Sequence, residues 1–271
     1  MTTFYGGLAG DLRGTDDLRP PLVLLHGLTF DRTTWQPALD ALQRIDPDRR
    51  LLSLDLPGHG ESAPRDSYRM AETVERVHEA VAEVGFVAPV LVGHSLGAVV
   101  ATIYATEWPV TGVVNVDQPL DVEPFAAQAR VVAPALVEPG FEQVWARYWE
   151  SMEIELLPPA GQEVARAASR PSAELVRGYW ADVIERPDET SAWAKRGRRT
   201  LRQRRTPYEA VIGRPSDAER AWYARELPHA VVTELPGSGH FPQLADPERF
   251  AERLRVTAAW TEAAWRVPAA A

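Results

Sequence analysis

The apolar run Val90-Leu91-Val92 passes directly into Gly93-His94-Ser95-Leu96-Gly97, and the stretch from Leu96 to Trp108 has the length and periodicity of a helix. A residue in the middle of such a strand-turn-helix junction occupies a strained bend with neighbouring chain close on both sides. Only glycine at the flanking positions removes the side chains that would collide there, and Gly93 and Gly97 meet that demand. Ser95 also falls at a helix N-terminus, where unpaired N–H groups and the positive end of the dipole favour developing negative charge. The junction singles out Ser95 as a nucleophile, and it requires a buried parallel strand behind it.

The surrounding sequence supplies that sheet. Leu22-Val23-Leu24-Leu25, Leu51-Leu52-Ser53-Leu54 and Val113-Val114-Asn115-Val116 are near-continuous apolar runs, as strands buried on both faces are. Helical patterns from Thr34 to Leu42, Met70 to Val84 and Leu96 to Trp108 separate them, with Pro37 suited to a first helical turn. The strand pattern resumes at Tyr208 to Ile212 and at Ala230 to Leu235, and a closing helix is predicted from Pro247 to Trp265. The predicted fold class is α/β: a mostly parallel sheet with helices on both faces. Residues 1–118 and 207–271 are expected to form its core, and 119–206, prolines and amphipathic stretches without a convincing strand, a helical cap inserted into it. The aromatics of that insertion (Phe125, Phe141, Trp145, Tyr148, Trp149, Tyr179, Trp180, Trp193) suit the apolar underside of a cap and, in part, the wall of a substrate cavity. The basic run from Lys195 to Arg205 reads as one solvated helix leading back to the sheet.

Composition narrows the function classes. A chain of 271 residues with 45% hydrophobic content buries a full core. A net charge of −9 lacks the footprint of a nucleic-acid binder, so no nucleic-acid partner is expected. No apolar run reaches membrane-spanning length, and no membrane partner is expected either. With no cysteine, thiolate catalysis and thiolate metal sites are excluded. Neither a zinc-binding H-E-x-x-H nor a phosphate-binding G-x-x-x-x-G-K is present; no metal, nucleotide or other cofactor is expected. The start Met1-Thr2-Thr3-Phe4-Tyr5 carries no visible signal peptide, which makes the cytoplasm the expected location. Oligomeric state is left open.

In these motifs and their order the chain resembles the α/β-hydrolase superfamily. His26-Gly27 looks like its oxyanion loop, which implies that the N–H groups of Leu28 and Leu96 form the oxyanion hole. Asp55-Leu56-Pro57-Gly58-His59-Gly60-Glu61-Ser62 is similar to a structural turn of the family, making His59 a loop brace. Gly237-Ser238-Gly239-His240-Phe241-Pro242 resembles its histidine loop, and Asp246-Pro247 opens the last helix. His240 is then the base for Ser95, because the loop after the last strand returns to the same sheet edge. Two acids compete to orient it. Asp217 follows the strand where the family usually places its acid, at an uncommon spacing; Asp117 ends the strand after the nucleophile's helix, a place used by some relatives, and is favoured. Glu209 and Asp121 are more remote possibilities. His26 and His94 read as scaffold or pocket wall, and the expected substrate contacts are His94, Phe30, Trp145, Trp149, Trp180 and Phe241.

The resemblance implies a serine hydrolase that cleaves a carboxylic ester or lactone of a small, mostly apolar substrate through an acyl-enzyme. Serine at the elbow disfavours epoxide hydrolase and dehalogenase chemistry, which need a carboxylate there. A C–C bond hydrolase or lyase on the same residues, or a ligand-binding module without turnover, are the alternatives.

Overall fold

The computed structural model describes residues 2–15, 18–137 and 139–260. Among these, one sheet runs in the order β1-β2-β4-β3-β5-β6-β7-β8, with β1 (Thr3–Tyr5), β2 (Leu8–Arg13), β3 (Leu22–Leu25), β4 (Leu51–Leu54), β5 (Val90–His94), β6 (Gly112–Val116), β7 (Tyr208–Ile212) and β8 (Val231–Glu234). All pairings from β4 to β8 are parallel, whereas β1 pairs β2, and β2 pairs β4, in antiparallel fashion. The two antiparallel strands were not foreseen from sequence: Thr3-Phe4-Tyr5 is largely exposed and Leu8–Arg13 is interrupted by Gly10 and the charged Asp11 and Arg13. Neither is an apolar run of the kind that marks a doubly covered strand.

Strands β3 to β7 are buried throughout, and alternate residues serve opposite faces. Val23, Leu25, Leu91 and Val113 join one apolar cluster, and Leu22, Leu24, Val90, Val92 and Val114 the other. The second cluster is closed by α1 (Gln36–Ile45) and α11 (Pro247–Val256), which pack against each other, with Trp35 stacked on Phe250 at 6.0 Å between ring centres. The first is closed by α2 (Met70–Glu83) and α3 (Leu96–Glu107).

Between β6 and β7 stand α4 (Val122–Val132), α5 (Phe141–Ser151), α6 (Pro159–Ala168), α7 (Ala173–Glu185) and α8 (Pro187–Arg204). They are tied to the sheet region by Arg69, which reaches Asp182 and Glu185 on α7, and by Tyr179, whose hydroxyl donates to the Pro57 carbonyl at 2.9 Å. The basic run on α8 is not wholly solvated. Arg198 is buried, its guanidinium 5.3 Å above the Trp222 ring and paired with Glu226, so one arginine of the run is part of the packing.

After β7 come α9 (Asp217–Glu226) and the short α10 (Pro242–Ala245). The predicted closing helix begins at Pro247, with the Asp246 carboxylate capping the Arg249 N–H at 2.9 Å. Its regular α-helix ends at Val256, where Thr257 begins a 3-10 turn and turns its hydroxyl back onto the Leu254 carbonyl. The predicted residues 261–265 lie outside the described residues. Among those described, no helix is long and apolar enough to cross a membrane.

Candidate active site

Ser95 stands between β5 and α3 with φ 50° and ψ −118°, a strained conformation outside the helical and extended regions. Its N–H donates to the Val116 carbonyl on β6 at 3.0 Å and its carbonyl accepts from Ala98 N–H at 2.9 Å, so both sides of the bend are fixed. A Cβ on Gly93 would fall 2.2 Å from the Gly97 carbonyl oxygen, and one on Gly97 would fall 2.1 Å from that of Leu25. No side chain fits at either position.

Because β5 and β6 are neighbours in register, the residue after Val116 comes up beside Ser95. That residue is Asp117. Its φ of 52° turns the chain sharply, while its N–H donates to the Val211 carbonyl at 2.9 Å. One carboxylate oxygen accepts from Gly213 N–H at 3.3 Å, and the other lies 2.8 Å from His240 Nδ1. The carboxylate accepts, so Nδ1 carries the proton and Nε2 presents a lone pair. The histidine loop is fixed by its backbone: His240 N–H donates to the Met152 carbonyl at 3.0 Å, and the His240 carbonyl accepts from His94 Nε2 at 2.7 Å. The rings of His94 and His240 lie 4.7 Å apart. Among the described residues no hydrogen bond joins His240 to the Ser95 hydroxyl, a contact that commonly tightens only around substrate.

The competing acids are elsewhere. Asp217 is an exposed first-turn residue of α9, placed by the Ser216–Glu219 capping box. Glu209 is buried under Arg253 and Thr233. Asp121 lies at the start of α4.

Leu28, Leu96 and Ser95 line one cavity, and among the described hydrogen bonds neither the Leu28 nor the Leu96 N–H is taken up within the chain. The loop that carries Leu28 is held by two histidines. His26 Nδ1 donates to the Gly27 carbonyl and its Nε2 accepts from Leu56 N–H; His59 Nδ1 donates to the Pro57 carbonyl and its Nε2 accepts from Thr29 N–H. In each ring one nitrogen must donate and the other accept, which only the neutral form can do. Burial accordingly lowers the basicity of His26 and lowers that of His59 and His94 well below the ordinary value.

Of the aromatics expected at substrate, Trp180 lines the cavity with Ser95, together with Phe125, Tyr148 and Trp193. Trp145 and Trp149 do not; they line a separate groove with Phe141. Phe30 and Phe241 are fully buried against each other, with 5.1 Å between ring centres, and His94 is buried beside Phe241. The cavity floor is instead α3 itself, through Val99, Thr102, Ile103 and Thr106, which sequence reasoning missed. The signal was there: α3 is apolar nearly all round, so a second apolar face had to be covered. Among the described residues no group of three His, Asp or Glu side chains is arranged to hold a metal ion.

Comparison with known proteins identifies the family of the chain. A model of the alpha/beta hydrolase family matches residues 22–253. The biotin biosynthesis bifunctional protein BioHC of Cellvibrio japonicus is 36% identical over 115 residues, 42% of this chain and 20% of that one. The pimeloyl-[acyl-carrier protein] methyl ester esterase of Vibrio vulnificus is 26% identical over 253 residues, 87% of this chain and 92% of that one. Coverage of relatives is uneven, since the first two matched span only 20% and 54% of their own lengths. Among solved structures, AqDC, which recognises and ring-cleaves the Pseudomonas quinolone signal, superposes with a TM-score of 0.76 at 17% identity over 96% of this chain and 99% of that one. At that identity the likeness speaks for the fold alone.

Proposed function

Because the chain belongs to the alpha/beta hydrolase family, we propose that it is a serine hydrolase of carboxylic esters or lactones, with Ser95 as nucleophile, His240 as general base and Asp117 as the orienting acid. The observation that carries this reading is the position of Asp117: it follows the end of β6, the strand paired with the one that leads into Ser95, and its carboxylate lies 2.8 Å from His240 Nδ1. Ser95 attacks the carbonyl carbon while His240 Nε2 takes its proton, and the Leu28 and Leu96 N–H groups receive the developing oxyanion. One such donor is worth about 2.7–4 kcal/mol in other enzymes. The imidazolium then protonates the leaving alcohol, and water activated by the same base releases the acid. Helices α4 to α8 act as the cap of the site. Among the relatives, the pimeloyl-[acyl-carrier protein] methyl ester esterase of Vibrio vulnificus is by its name an ester hydrolase, which supports the ester reading.

A panel of aryl esters, lactones and vinylogous diketones, run with wild type and Ser95→Ala, tests the proposal. Ester or lactone turnover that disappears in Ser95→Ala supports it. Turnover of the diketones alone points to C–C bond hydrolysis on the same residues, and stoichiometric binding without turnover points to a ligand-binding module; either overturns the ester reading.

A further inference from the structure

We propose that the cavity along α3 is a subsite for a straight, uncharged acyl chain of about ten carbons, with the leaving alcohol on the opposite side of Ser95; this rests on the serine-hydrolase reading of the same site. The cavity follows one face of α3, touching residues 95, 96, 99, 102, 103 and 106 in turn. At about 1.5 Å of rise per residue those positions extend roughly 16 Å from the nucleophile. An extended hydrocarbon with bonds of about 1.5 Å advances roughly 1.3 Å per carbon, so a chain of about ten carbons fills most of that length and one of about twelve spans it.

That wall is less polar than its residue names suggest. The Thr102 hydroxyl donates to the Ala98 carbonyl at 2.6 Å and meets the Tyr208 hydroxyl at 2.9 Å, and the Thr106 hydroxyl donates to the Ile103 carbonyl at 2.8 Å. Both threonines have turned their oxygens back into their own helix. On the roof, the Asp182 carboxylate is taken up by Arg69 and by Met70 N–H, the Thr190 hydroxyl by the Asp182 carbonyl, and Arg198 by Glu226. What faces the chain is therefore mainly methyl, aliphatic and aromatic surface from Val99, Ile103, Phe125, Trp180 and Trp193, with Gln118 and the Tyr148 hydroxyl as further uncharged polar groups on the wall. Asp121, the wall's remaining carboxylate, makes no side-chain cap bond, and its charge disfavours an acidic end on the arm.

The far end is set by the crossing of α8 over α3. A Cβ on Gly197 would come within 3.2 Å of the Thr106 methyl, so the helices meet there with no room for a larger residue to pass unnoticed. Ala194, one turn earlier on α8, faces the same space.

The sides of the substrate follow from where His240 sits. The apolar cavity contains Ser95 but not His240, whereas His240 and Asp117 line a second, polar groove with Glu153, Arg214 and Glu219. The leaving oxygen must receive its proton from His240, which places the alcohol toward that polar groove and the acyl arm along α3.

The test is a p-nitrophenyl ester series from acetate to dodecanoate, with wild type, Gly197→Leu and Ala194→Leu. Wild-type kcat/KM is expected to rise by up to about fourfold per added methylene, reaching its maximum between octanoate and dodecanoate. At least one of the two variants should cut the decanoate-to-acetate ratio by about tenfold or more. A wild-type series that falls beyond butyrate, or a ratio unmoved in both variants, overturns the subsite. Binding of decanoate to Ser95→Ala, read by the fluorescence of Trp180 and Trp193, separates the two claims. If no ester is turned over but decanoate binds and Gly197→Leu or Ala194→Leu weakens it, the chemistry falls and the subsite stands. If short esters are hydrolysed through Ser95 and decanoate does not bind, the subsite falls and the chemistry stands.

Discussion

His240 Nδ1 and Asp117 Oδ2 stand 2.8 Å apart although 123 positions separate them in sequence. The contact exists because β5, β6 and β7 are consecutive neighbours in the sheet: Asp117 leaves β6 beside Ser95, while its carboxylate also takes the Gly213 N–H at the end of β7. The Asp117 carboxylate is thus held from below by backbone and from above by imidazole. Its left-handed backbone is the local cost of that placement.

Asp117→Asn should lower kcat by about 10⁴-fold, because the amide no longer fixes the Nδ1–H tautomer of His240. Asp217→Asn, an exposed helix-start substitution, should leave kcat within about twofold and stability within about 0.5 kcal/mol. Steady-state kinetics on the two purified variants decide between the acids; a mild Asp117→Asn would remove that residue from the site.

Gly93→Ala and Gly97→Ala should each destabilise the fold by about 3 kcal/mol or more, the severe end for single substitutions. The added methyl in either case would sit just over 2 Å from a carbonyl oxygen that belongs to a central strand or to the start of α3. Chemical denaturation compared with wild type reads the loss, and a midpoint unchanged in both variants would mean that the bend is looser than described.

Stability should fall as pH drops below 6.5. His26, His59 and His94 resist protonation in the fold because burial penalises the charged ring, whereas in the unfolded chain they titrate near 6.5. Between that value and their lowered folded values the unfolded state binds more protons, so unfolding free energy decreases with falling pH, by up to about 1.4 kcal/mol per pH unit for each histidine. Urea midpoints from pH 8 to 5 should be flat at first and then decline. A profile flat down to pH 5 would show that these rings accept protons in place.

How far the sequence revealed this architecture depended on which constraint was local. The bend at Ser95 was legible because its glycines, strand and helix are contiguous, and the buried strands were legible because each is a short apolar run. The antiparallel β1 and β2 were not, since β1 is mostly exposed and β2 leaves little apolar pattern in Leu8-Ala9-Gly10-Asp11-Leu12-Arg13. The acid was left between Asp117 and Asp217 because the decision rests on which strand lies next to β5, a property of the whole sheet. Residues Trp145 and Trp149 were misplaced for a similar reason: aromatic content marks α5 as amphipathic, but its rotation against α4 and α7 sets which groove those rings enter. In the same way, the hydroxyls of Thr102 and Thr106 look polar in sequence and are consumed by their own helix.

Mass spectrometry of the protein after reaction with a fluorophosphonate tests the account most directly. A single phosphonyl adduct on the peptide carrying Ser95, absent from Ser95→Ala and slowed by Asp117→Asn, is the predicted result. An unmodified Ser95 in folded wild-type protein, or an adduct that forms equally well without His240 and Asp117, would contradict it.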